Sequence, residues 1–173
     1  LTVWLRPDPL LLARTREVES STTQDGPVKG PGVVAGTAIM GLAQLIMVAI
    51  MTMTPIHMHD HGHDTTASGI VIAIHIAAMY LPSPLTGWLV DRYGRLKMAV
   101  ASGLTLLAAG VVAASAPDGE IALFAVALAL LGLGWNFGLV AGTAIITDSV
   151  SLATRAKTQG MVDVAIAVAG AGG

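Results

Sequence analysis

The sequence predicts an all-α integral membrane protein, a helical bundle of four complete transmembrane helices and the start of a fifth. Three observations lead there. Apolar residues make up 54% of the 173-residue chain and charged residues 12%, where soluble domains carry roughly a quarter charged. The apolar residues come in long blocks, and a block of about 18 or more residues crosses a ~30 Å hydrocarbon core as a helix. The basic residues cluster between alternate blocks. Backbone in contact with lipid must satisfy its own hydrogen bonds, so long blocks read as helices, whereas a membrane β-barrel would show short alternating segments.

Residues 1–32 are polar and mixed, and they lack the basic start, apolar run and small-residue cleavage site of a signal peptide. A partly disordered cytoplasmic leader or linker is expected there, ahead of a membrane domain over 33–173. Apolar blocks follow at about 33–54, 67–90, 98–116 and 121–147. Residues 160–173 open a further block too short to span. The chain also begins with Leu1 rather than Met, so it reads as a fragment of a longer protein. Breakers fall where turns belong. "DTTAS" (64–68) offers helix N-caps for the second block, "PSP" (82–84) should kink that block, and "PDGE" (117–120) reads as a tight turn.

Orientation follows from charge. If the blocks are threaded alternately across the bilayer, Arg6, Arg14, Arg16 and Lys29 share one side with Arg92, Arg95, Lys97, Arg155 and Lys157, which are all nine basic residues. The positive-inside rule makes that side the cytoplasm, in a multi-pass protein of the plasma membrane.

Composition also excludes functions. A net charge of −2 gives no electrostatic case for nucleic acid. Without cysteine there are no disulfides and no thiolate metal sites. No nucleophile elbow, phosphate-binding loop, H-E-x-x-H or dinucleotide fingerprint is present, so neither an enzyme nor a cofactor is expected.

Polar groups at membrane depth are the candidate site residues, because they are costly unless they face the bundle interior or a cavity. Gln44 falls near the middle of the first block, as a solute contact or an interhelical hydrogen bond. His75 falls inside the second, as a proton relay or as a ring bonded to a neighbouring carbonyl. In "GLGWNFG" (132–138), Trp135 could stack on an organic solute and Asn136 could hydrogen-bond it, while the glycines serve close helix packing. Asp163 is expected in the first turn of the fifth block, favoured by the helix dipole. "TPIHMHDHGHD" (54–64) holds four of the five histidines, His57, His59, His61 and His63. As an outer loop it would be a connector with the chemistry for opportunistic zinc or nickel binding. A metal-binding membrane protein is therefore one rival reading, and a non-transporting membrane remnant or interaction protein is the other.

The loop after the second block reads "GWLVDRYGRLK" (87–97). It resembles the signature loop of the major facilitator superfamily, G-x-L-x-D-R-x-G-R-[KR], with Gly87, Leu89, Asp91, Arg92, Gly94 and Arg95 at matching positions. Leu96 replaces the usual basic residue, with Lys97 one place later, and Ala99 stands where the pattern ends in Leu. "RPDPLLLAR" also looks like the central linker of some members. "MTMTPIHMHDHGH" and "LGLGWNFGLVAGTAIITD" look like their seventh and tenth helices. The resemblance implies part of the C-terminal six-helix half of a permease, built of three-helix repeats. It implies secondary transport of a small organic solute by alternating access, with proton-coupled efflux as the branch. The partners would be the solute, the proton, the facing half and the lipid bilayer. It further implies that Gly87, Asp91, Arg92, Gly94 and Arg95 latch the cytoplasmic side. In the residues themselves, Gly94 permits a positive φ, Gly87 permits close helix approach, and Asp91 can pair with Arg92 or Arg95.

Overall fold

The computed structural model describes residues 30–60, 64–117 and 120–172, without the side chains of His57 and His59. The expected leader, apart from its last residues, lies outside that range. Among the described residues the regular structure is six helices: α1 Pro31–Asp60, α2 Thr65–Tyr80, α3 Ser83–Tyr93, α4 Arg95–Ser115, α5 Ile121–Ser149 and α6 Leu152–Ala171. Four helical stretches are long and apolar enough to cross a membrane: Pro31–Ile56, Thr65–Tyr93, Arg95–Ser115 and Ile121–Ser149.

Local chemistry sets most of the boundaries. Pro31 opens α1, where its missing N–H has no intrahelical partner to lose. Asp64 caps α2 by accepting a 2.8 Å hydrogen bond from the Ala67 amide. The second span is two helices, broken at Leu81–Pro82 where "PSP" predicts a kink. Pro82 and Pro84 have no N–H to return to the preceding turn. Glu120 N–H bonds the Pro117 carbonyl at 3.2 Å and closes the turn before α5.

Two boundaries depart from the sequence reading. Helix α1 does not stop near residue 54 but runs through Pro55 to Asp60. An internal proline removes one hydrogen bond without forbidding the helix, and no glycine falls between Gly41 and Gly62. The first half of the histidine stretch is therefore helix rather than loop. Helix α6 starts at Leu152, not near residue 160. "LATRAKTQ" is polar in places, but Leu, Ala, Arg, Lys and Gln are strong helix formers. Asp163 consequently lies in the middle of α6, so the dipole argument for it fails, since that effect fades beyond the first turn.

Helix α5 is the centre of the bundle. Half of its most apolar stretch, 50%, is buried, against 22% in each of the other spans. It packs along α4, α1, α2 and α3, while α6 lies against α1. Small residues allow the approach. A Cβ on Gly132 of α5 would lie 2.5 Å from the His75 carbonyl oxygen of α2. On another face, a Cβ on Gly142 would meet the Gly36 carbonyl of α1 at 3.0 Å. Close backbone contact of this kind replaces the hydrophobic effect as the basis of helix association in lipid. Large apolar side chains such as Leu81, Leu96 and Leu107 point outward, as a lipid-facing surface requires.

Candidate functional site

Two clusters of polar groups stand out, one at the loop end of the bundle and one at mid-height. At the loop end, α3 stops at Tyr93 and α4 starts at Arg95. The single residue between them, Gly94, has φ 93° and ψ 151°, a region that side-chain-bearing residues rarely occupy. That turn aims Arg95 across to Asp148 in the last turn of α5. The guanidinium Nη2 donates to Asp148 Oδ1 at 2.8 Å and lies 2.7 Å from Oδ2. The loop is thereby tied to the end of the central helix. Nearby, Arg155 Nη2 donates to the Thr147 carbonyl at 3.0 Å, placing positive charge at the negative end of α5.

This differs from the expected pairing. Arg95 binds Asp148 rather than Asp91. Asp91 and Arg92 are exposed and have no ion-pair partner among the described residues. Gly87 admits no close helix either, since a Cβ there would meet nothing within 4 Å. Asp148 was not singled out in the sequence, and Arg155 counted there only as one of the basic residues on one side. The available signal was opposite charges at helix ends on one side of the bundle.

At mid-height the structure brings Gln44, Trp135 and Asn136 close to the break in the second span. Trp135 Nε1 donates to Gln44 Oε1 at 2.8 Å, joining α5 to α1. The Trp135 ring meets Tyr80 edge-on, with centroids 6.0 Å apart. Trp135 is largely covered, whereas Tyr80 at the end of α2 is 60% exposed. From α6, a Cβ on Gly170 would lie 3.1 Å from Gln44 Nε2. Four helices thus converge on one amide and two aromatic rings, a combination that suits a small organic ligand. By contrast, two open hollows beside α1, about 320 and 530 Å³, have mainly apolar linings. They offer few groups to orient a ligand.

Asn136 is 1% exposed and engaged on all sides. Its Nδ2 donates to the Met79 carbonyl and to Ser83 Oγ, each at 2.8 Å, and its Oδ1 accepts from Thr86 Oγ1 at 2.5 Å. The amide thus clamps the α2–α3 break and supplies the donor that Met79 lacks there. Both of its N–H groups are spent on the fold rather than on a ligand.

His75 is 2% exposed, and its Nδ1 lies 2.9 Å from the Leu128 carbonyl. A carbonyl only accepts, so Nδ1 carries the proton. Nε2 is buried without a partner. Of the two roles weighed for His75, this geometry is the ring bonded to a neighbouring carbonyl. His75→Leu should lower stability by about 1 kcal/mol, the usual scale of an interhelical hydrogen bond in membranes. The check is the thermal unfolding midpoint in detergent against that of His75→Asn, which keeps a donor.

For the histidine stretch, the backbone at His57 and His59 is helical. Positions two apart on a helix are about 200° apart around its axis, so the alternation that aligns them on an extended chain does not align them here. His61 and His63 lie outside the described residues. No group of three or more potential metal ligands converges among the described residues.

Comparison with known proteins agrees with the signature loop. The family model described as Major Facilitator Superfamily matches residues 5–173. The chain is 56% identical over 184 residues to the uncharacterized MFS-type transporter YdeG of Bacillus subtilis (strain 168), and 55% identical over 182 residues to YddS of the same organism. Each match covers 100% of this chain and 42% of the relative. A riboflavin transporter of Brucella anthropi, RfnT, is 36% identical over 136 residues, covering 79% of this chain and 34% of its own length. The chain therefore spans about two-fifths of the B. subtilis relatives it matches. No solved structure matches. With the D-R-x-G-R loop at the break between two helices, apolar helices long enough to span, and the family match over nearly its whole length, the chain belongs to the major facilitator superfamily.

Proposed function

We propose that this chain is part of the C-terminal half of a secondary transporter that moves a small organic solute by alternating access, coupled to protons and directed outward. The observation that carries the proposal is the Arg95–Asp148 pair beside the Gly94 turn. It is a solvent-accessible ionic tie between a loop and the end of the central helix, and such a tie can open and close without disturbing the core. Gly87, Asp91, Arg92, Gly94 and Arg95 together form the latch. The exposed charges of Asp91 and Arg92 are available to a facing half in the closed state. Positive-inside charge puts the latch on the cytoplasmic face of a plasma-membrane protein.

The Gln44–Trp135–Tyr80 cluster is the proposed solute contact, where an aromatic edge and an amide suit a flat heteroaromatic molecule. The relative named as a riboflavin transporter makes riboflavin a sensible first solute. The test is movement of labelled riboflavin and related heteroaromatic solutes in vesicles containing the complete transporter that includes this chain. Saturable, protein-dependent exchange of one of them is the expected result. No exchange of any solute across a broad panel would remove the proposal.

A further inference from the structure

Resting on the transport reading, we infer that Gln44 determines which solutes the site accepts. Its amide is held with the N–H groups outward, so the site selects flat, neutral solutes that carry a hydrogen-bond acceptor. The orientation follows from the partner. An indole N–H donates and cannot accept. Trp135 Nε1 lies 2.8 Å from Gln44 Oε1, so the amide oxygen faces the indole and the NH2 group faces away. The reverse orientation would set donor against donor.

The outward group is open to a ligand. Gln44 is half-buried, and its Nε2 has no hydrogen-bond partner among the described residues and is not enclosed. Its neighbour on α6 is Gly170, where a Cβ would lie 3.1 Å from Nε2. The missing side chain leaves the nitrogen uncovered. Trp135 is the central residue of α5, Ile121–Ser149, so the pair sits near the middle of the membrane, where an unmet donor is costly.

Acceptors, by contrast, are already engaged. Gln44 Oε1 serves Trp135, and the Met79 carbonyl serves Asn136. The Tyr80 hydroxyl can donate or accept, so it favours neither kind of solute. Charge is absent as well. Neither α1 from Pro31 to Ile56 nor α5 before Asp148 carries a charged side chain. His75 is enclosed against the Leu128 carbonyl. On α6, Arg155, Lys157 and Asp163 lie toward the loop end, the nearest about 10 Å along the helix from Gly170. A charged solute would find no counter-ion here. A solute with donors alone would strand the Gln44 N–H groups. Riboflavin, with its ring carbonyls, falls in the accepted class.

Fluorenone and carbazole test this. Both are flat, neutral and tricyclic, but fluorenone carries a carbonyl acceptor and carbazole an N–H donor. Each would compete with exchange of labelled riboflavin, or of the panel solute that exchanges, by the complete transporter in vesicles. The ratio of their half-inhibiting concentrations is compared between variants, which cancels partition into lipid. The wild type should favour fluorenone about tenfold or more. Gln44→Met keeps the length without the amide and should lose that preference. Trp135→Phe keeps a ring and releases the amide, which can then turn its oxygen outward. Carbazole should gain about threefold or more relative to fluorenone. A residue that only packs the helices would weaken both probes alike. If Gln44→Met does not fold, the Trp135→Phe ratio decides. No preference in the wild type, or one that survives in both variants, overturns the inference and leaves the transport reading standing. If the wild type moves no solute, the transport reading falls and takes the specificity with it.

Discussion

Gly132→Val should be the most destabilising substitution in the bundle, by about 3 kcal/mol or more. A Cβ at Gly132 would sit 2.5 Å from the His75 carbonyl oxygen and 3.1 Å from both the Ala78 Cβ and the Met79 nitrogen. Two of those three atoms are helix backbone, which cannot swing aside as a side-chain tip can. The helices must separate, and that breaks the His75–Leu128 and Asn136–Met79 bonds across the same interface. Gly87→Ala supplies the contrast, because a Cβ there meets nothing within 4 Å, so its effect should stay within about 0.5 kcal/mol. Thermal unfolding of the two variants in detergent separates the cases. Equal midpoints would mean that α2 and α5 are not packed as described.

Asn136→Leu should rank second, at about 2–4 kcal/mol. Leucine roughly conserves volume, so the loss comes from polar groups rather than from a cavity. It strands the Met79 carbonyl, the Ser83 hydroxyl and the Thr86 hydroxyl around a proline break that has few donors of its own. Thr86→Val removes only one member and should cost about 1 kcal/mol. In a double-mutant cycle the two changes should be strongly non-additive, with most of the Thr86→Val cost absent once Asn136 is gone. Additive losses would mean that the three bonds do not form one network.

Features governed by a few adjacent residues were legible in the sequence. The spans, the kink at "PSP", the Asp64 cap and the positive φ at Gly94 all follow from local hydropathy or backbone chemistry. Partners across the bundle were not legible. Arg95 and Asp148 are 53 residues apart, and Gln44 and Trp135 are 91 apart. Gln44 and Trp135 each stood out as costly polar groups in an apolar block, but nothing local says that they bind each other. Asn136 shows the same limit from the other side. Its polarity at depth suggested ligand chemistry, and its bonds serve the break in the second span. Hydropathy also placed two helix boundaries wrongly. It ended α1 at the polar "TPIHMHD", through which the helix continues despite Pro55, and delayed α6 past "LATRAK", whose Leu, Ala, Arg and Lys are strong helix formers. The second error left Asp163 in a first turn, whereas it lies in the middle of α6.

The central claim is that the tie between the signature loop and α5 opens and closes during transport. Charge reversal tests it most directly. Solute exchange by the complete transporter would be measured in vesicles for Arg95→Asp, for Asp148→Arg and for the two combined. Each single reversal sets like charges against each other and should slow exchange about tenfold or more, and the combination should recover most of the rate. Single variants that exchange solute at the wild-type rate, or a combined variant no faster than either single one, would contradict the account.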